Sequence, residues 1–132
     1  MSTEVSARTS LNRLLGAVFG GVYLLVGLVG FAITSGVGFA DHHGKELLFF
    51  ELNPLHNVVH IGVGLLLALA ALRGAQPATL ANTLVGGVYL VVGVAGLFLS
   101  NSGLDILALN HPDNLLHLAS AAVLLGTGLS RR

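Results

Sequence analysis

Two short stretches of this chain set histidine, asparagine and aspartate at helical spacing. The first is Asn53-Pro54-Leu55-His56-Asn57-Val58-Val59-His60, and the second is Asn110-His111-Pro112-Asp113-Asn114-Leu115-Leu116-His117. His56 with His60, and Asp113 with His117, are i, i+4 pairs, so each pair shares one helix face. Three imidazoles and a carboxylate on facing helices would suit Zn²⁺ or another divalent ion. The same residues allow a haem variant, with His60 and His117 as axial ligands and the small Gly64 and Ala121 leaving space for the macrocycle. A third chemistry is a proton or substrate pathway through His60, His117 and Asp113. The plainest use is structural. Asn53, Asn57, Asn110 and Asn114, with the histidines, would then form a polar face that bonds neighbouring helices at roughly 0.6–2 kcal/mol per bond.

Other chemistries lack their parts. No Glu follows His56 as in a metalloprotease HExxH segment. Ser100, Ser102 and Ser120 have no base and orienting acid near them in sequence, so no triad is proposed. The chain has no cysteine, which excludes disulfides and thiolate ligands. It has zero net charge and no basic tract, so nucleic acid is not an expected partner.

The elements that must carry these residues follow from composition. Of 132 residues, 54% are hydrophobic and only 9% charged, with a mean hydropathy of +0.85. A soluble domain of this size carries roughly 25% charged residues, so the composition is that of a membrane protein. About 20 apolar residues cross a bilayer core, and four such runs stand out: Leu14 to Ile33, Pro54 to Leu72, Leu84 to Leu99, and Leu115 to Leu129. Residues 1–13 read as a short polar start. Pro77 marks the break after the second run, and the third helix is expected from about Asn82. Asn53 and Pro54 have the types favoured at a helix N-cap and first turn. Gly38-Phe39-Ala40 resembles a cleavage site, but the apolar run before it exceeds the roughly 7–15 residues of a signal h-region, and the first helix is treated as retained.

The loop from 34 to 52 carries Asp41, His42, His43, Lys45, Glu46 and Glu51. Its apolar patch from Leu47 to Phe50 is expected to lie in the interface as a short amphipathic segment. His42, His43 and His111 read as solvated loop residues, and Glu51 and Asp105 as ordinary interface charges. Arg8, Arg13, Arg73, Arg131 and Arg132 fall on one side of the helices, against the single Lys45 on the other. The positive-inside rule then puts both termini and the middle loop in the cytoplasm.

An internal repeat ties the halves together. Gly20-Gly21-Val22-Tyr23-Leu24 returns as Gly86-Gly87-Val88-Tyr89-Leu90, and Gly27 and Gly30 match Gly93 and Gly96 at the same offset of 66 residues. Asn53, Asn57 and His60 match Asn110, Asn114 and His117 at an offset of 57. The expected fold is all-α: one domain over 1–132 with four transmembrane helices, in two parallel helical hairpins (about 14–72 and 82–129) related by a pseudo-twofold axis along the membrane normal. Gly16, Gly20, Gly27 and Gly30 form a stripe on the first helix, expected to be a packing seam. Whether the polar faces of the second and fourth helices meet at the axis, or pack on the first and third, is left open.

The segments Leu55-His56-Asn57-Val58-Val59-His60, with Gly62 and Gly64 after it, and Asp113-Asn114-Leu115-Leu116-His117-Leu118 resemble a bacterial, mainly actinobacterial, family catalogued as domain of unknown function 4383. The similarity covers nearly the whole chain. It implies a four-helix membrane fold and supports His56, Asn57, His60, Asp113, Asn114 and His117 as matched positions, but implies no reaction. The residues point to a small integral membrane protein acting as a non-catalytic accessory or scaffold subunit. The alternative is a haem- or metal-binding membrane protein using the paired His face. The bilayer is the expected partner, with a homo-oligomer or a larger membrane complex as further possibilities.

Overall fold

The computed structural model describes residues 3–130, with side chains from residue 11 onward. Four helices are present: α1 Thr3–Ile33, α2 Pro54–Arg73, α3 Ala75–Leu99 and α4 His111–Leu129. Leu11–Ile33, α2 and α3 are long and apolar enough to cross a membrane. α4 carries His111, Asp113, Asn114, His117 and Ser120 in 19 residues and is the least apolar of the set by sequence. The protein is a small membrane protein. Arg131 and Arg132, used above to read orientation, lie outside the described residues, as does the side chain of Arg8.

Packing is pairwise. α1 lies along α2 and α3 along α4, with lighter contacts between the pairs. Glycine makes both seams. A methyl group on Gly20 would meet the backbone of Ala68 and Gly64, and one on Gly86 would meet the backbone of Leu125. Gly27 sits against Ile61, and Gly93 against Leu118. The expected stripe on α1 is thus a seam against α2, and α3 repeats it against α4. In lipid, where apolar burial does not drive helices together, such close approach supplies the dispersion contacts that do.

The distribution of polarity is the reverse of a soluble bundle. Leu14, Leu25, Leu72, Val91, Phe98 and Leu115 are 59–81% exposed on the outer faces. Asn12, His56, Asn57, His60, Asn82, Asp113, Asn114, His117 and Ser120 are at most 1% exposed inside. Around them a core of Tyr23, Leu67, Ala81, Val85, Tyr89, Ala121 and Leu124 fills the centre.

Three local expectations are corrected. The patch at Leu47–Phe50, expected as a short amphipathic segment, is part of an antiparallel β-hairpin: β1 Lys45–Leu47 pairs with β2 Phe50–Leu52, with Lys45 opposite Leu52. Leu48, at φ 59°, and Phe49 form its exposed tip. α3 begins at Ala75 rather than near Asn82, and a single residue, Gly74 at φ 142°, separates it from α2. Pro77 does not break the chain because it falls in the first turn of α3, where its missing N–H is not needed. Finally, α1 starts at Thr3, so most of the expected polar start is helical.

The end of the bundle opposite the hairpin is tied by polar bonds. The Asn82 amide donates to the Asn12 carbonyl at 2.9 Å, and Arg13 Nε donates to the carbonyl of Ala71 near the end of α2 at 3.0 Å. A cation at a helix C-terminus satisfies a free carbonyl and opposes the helix dipole.

Candidate functional site

Asn53 starts the site by starting α2. Its side chain accepts the His56 N–H at 2.8 Å, which places His56 in the first turn. Asn110 does the same for α4, accepting the Asp113 N–H at 3.0 Å. There Asp113 completes a capping box by accepting the Asn110 N–H at 3.1 Å. Each cap contributes about 1 kcal/mol. The two caps also reach across the molecule. Asn53 donates to the carbonyls of Asp41 and Ile106, and Asn110 to the carbonyl of Phe49, so each half holds the other half's loop.

The polar faces of α2 and α4 divide their work. Asn57 turns toward α1, donating to Thr34 Oγ1 at 3.0 Å beside Gly30. Asn114 turns toward α3, donating to Ser100 Oγ at 2.8 Å beside Gly96. A methyl on Gly30 or Gly96 would overlap the carboxamide it faces. The histidines turn the other way. His56, His60 and His117 meet at the centre, with ring centroids 4.3 Å (56–60), 5.4 Å (56–117) and 5.9 Å (60–117) apart. One nitrogen from each lies within 4.8 Å of the others. The two possibilities the sequence left open are both realised, on different sides of the same helices.

None of the six ring nitrogens has a hydrogen-bond partner among the described residues. The carbonyls of Glu51 and Leu107 lie close to His56 without meeting hydrogen-bond geometry. Asp113 is buried on the same helix as His117, but stands outside the three-histidine set; its Oδ2 serves the cap, and Oδ1 has no hydrogen bond. Gly64, expected to leave room for a macrocycle, instead receives the backbone of Gly20 and Leu24.

Two tyrosines complete the centre. Tyr23 contacts His60 at 5.0 Å, Tyr89 stacks on His117 at 4.8 Å, and the two tyrosine rings lie 5.0 Å apart. Their hydroxyls are neighbours, and that of Tyr23 shares a 2.6 Å bond with Ser120. The sequence signal for them was present: both stand in the Gly-Gly-Val-Tyr-Leu repeat, 66 residues apart, as partners of histidines repeated at 57.

The hairpin and the second loop cover the histidines from one end. Glu51 accepts the Gly44 N–H at 2.8 Å and the Asn101 amide at 2.6 Å, and Asn101 also donates to the His42 carbonyl. Asp105 is 3% exposed and accepts backbone N–H groups of Asn101, Leu107 and Leu109. Burial raises its carboxyl above the usual range, against the pull of those N–H groups. Glu51 and Asp105 are therefore organisers of the cover rather than ordinary interface charges. His42, His43 and His111 are exposed, as expected, with His43 Nδ1 3.9 Å from the Glu51 carboxylate.

Comparison with curated proteins and with solved structures returns no match. A family model described as "domain of unknown function (DUF4383)" matches residues 13–130, which takes in every residue of the site. The chain belongs to that family.

Proposed function

We propose that this protein is a membrane-embedded binding protein for one transition-metal ion, held by His56, His60 and His117. The observation that carries the reading is the state of those rings: at most 1% exposed, mutually in reach, and without hydrogen-bond partners among the described residues. A buried polar atom left unpaired costs roughly 1–3 kcal/mol, so a fold that gathers three such rings at one point needs a compensating bond. An ion that takes one nitrogen from each supplies it. Imidazole suits Zn, Cu, Ni and Fe, whereas Mg and Ca favour oxygen. Asp113, one turn before His117, adds a buried carboxylate that offsets part of the ion's charge.

A small ion fits better than haem. The three rings touch one another and the two tyrosines, and α1 occupies the space beside Gly64, so no slot for a macrocycle separates His60 from His117. A scaffold role is supported by the other side of the same helices, where the Asn57–Thr34 and Asn114–Ser100 bonds fix register. No catalysis is assigned.

The setting belongs to the same proposal. α4 packs along α3 and acts as a fourth crossing, the two hairpins are pseudo-symmetric about the membrane normal, and the Arg-bearing ends face the cytoplasm of a bacterial plasma membrane. The matched pairs Gly30–Asn57–Thr34 and Gly96–Asn114–Ser100 support the symmetry. Elemental analysis and absorption of the untagged protein in mild detergent test the function. About one metal per chain, lost in His60→Ala and His117→Ala, is expected. A colourless, metal-free wild type of unchanged fold would return the histidines to packing, and a Soret band would return haem.

A further inference from the structure

The histidines are sealed, so an ion needs a path, and the two ends of the bundle offer unequal barriers. From the end bearing Asn12 and Asn82, eleven residues of α2 separate Ala71 from His60, roughly 16 Å of helix. That length is filled by Tyr23, Tyr89, Leu67, Ala81, Val85 and Leu124, all at most 3% exposed. From the hairpin end, His56 is three residues inside the cap at Asn53, roughly 4.5 Å. The non-helical backbone near Glu51 and around Leu107 lies next to it, in a cover one loop layer deep that buries Leu52, Ala108 and Leu109.

Those apolar residues stand apart from the main core cluster, and side-chain bonds between the loops help to hold the cover. Asn101 joins the second loop to Glu51 and to the His42 carbonyl on the first, at 2.6 and 2.7 Å. Asn101 itself sits at φ 56°, and Leu48 and Ala108 in the same cover at 59° and 54°. Non-glycine residues in this region carry about 1 kcal/mol or more of backbone strain, so the cover is easier to open than a helical layer. The Glu51 carboxylate lies at the rim with His43 at 3.9 Å. An arriving cation therefore finds an imidazole and a carboxylate there, and competes with Asn101 for the latter.

We infer that the hairpin cover is the ion's gate, latched by the Asn101–Glu51 bond, and that the three-histidine site exchanges its ion only with the hairpin face of the membrane. The inference rests on the metal reading for its ion, but the gate can be tested without one. Because the chain has no cysteine, His56→Cys creates a single thiol beneath the cover. In oriented proteoliposomes this thiol is challenged with a small, charged, membrane-impermeant methanethiosulfonate from either side. Modification from the hairpin side alone is expected, accelerated about tenfold or more by Asn101→Ala, which removes the amide's bonds to Glu51 and to the His42 carbonyl, tenfold corresponding to about 1.4 kcal/mol. Asn82→Ala, at the opposite end, is expected to leave the rate unchanged. Reaction from the opposite side, or the same rate with Asn101→Ala, would overturn the gate. In parallel, release of bound Zn²⁺ or Cu²⁺ from otherwise wild-type protein to an impermeant chelator should speed up in Asn101→Ala with unchanged stoichiometry; unchanged release also overturns it. A wild type that binds neither metal sinks the metal reading, while the thiol arm still decides the gate.

Discussion

The two hairpins differ most where they matter most. Along the seams they are close copies: Gly20 and Gly86 take the partner backbone, Gly30 and Gly96 take a carboxamide, and Asn57 and Asn114 donate to hydroxyls on Thr34 and Ser100. At the centre the copies part. His60 and His117 correspond, but His56 of the first half stands where the second half has Asp113. One half contributes two imidazoles, and the other contributes one imidazole with a capping carboxylate. Duplicated packing thus holds an unduplicated centre, which teaches that the seams maintain the fold and the departure from the repeat makes the three-histidine cluster.

Several substitutions break or sharpen that contrast. The largest effect is expected from His56→Asp, which makes the two halves alike at the centre. On the proposed metal reading, exchanging one of three nitrogen ligands for a carboxylate should weaken binding by about 100-fold or more, on the order of 2.7 kcal/mol, read by competition with a coloured chelator. Next come the seams. Gly20→Ala and Gly86→Ala each push a methyl into backbone and should each lower stability by about 1–3 kcal/mol. Similar losses in thermal unfolding in detergent are expected, and a loss confined to one half would contradict the equivalence of the seams. The caps should separate the halves again. Asn53 is fully buried with three partners, whereas Asn110 is half-buried with two, its donation to Phe49 lying at the surface. Asn53→Ala is therefore expected to cost about 2 kcal/mol and Asn110→Ala about 1. The smallest effects belong to Thr34→Val and Ser100→Ala, at about 0.6–1.7 kcal/mol each, measured as equal shifts in the unfolding midpoint.

Much of this was legible in the residues, for physical reasons. Helical periodicity put His56 with His60 and Asp113 with His117 on shared faces, and the Gly-Gly-Val-Tyr-Leu repeat exposed both seams. What local pattern could not assign was the direction each side chain takes around its helix. Asn57 and His56 are adjacent in sequence, yet one faces α1, where it meets Thr34, and the other the centre, where it meets His60 and His117. The hairpin escaped notice because its strands have three residues each and are held from outside by Asn101 and Asn110. Pro77 misled because a proline ends a helix in its interior but is at home in a first turn. Glu51 and Asp105 looked like surface charges because their partners are backbone N–H groups and an amide across the loops, which leave no trace in composition.

The one-residue joint at Gly74 bears on how such a chain is made. With Arg73 closing α2 and Ala75 opening α3, no slack exists for the second hairpin to insert the other way up. In the proposed orientation the topology needs to be settled only once, with the first helix and its neighbouring arginines; the later pair inherits its direction through that glycine. The loop between α3 and α4 then needs no orientation signal of its own and, with Asp105 as its lone charge, can be shaped by the cover it builds instead.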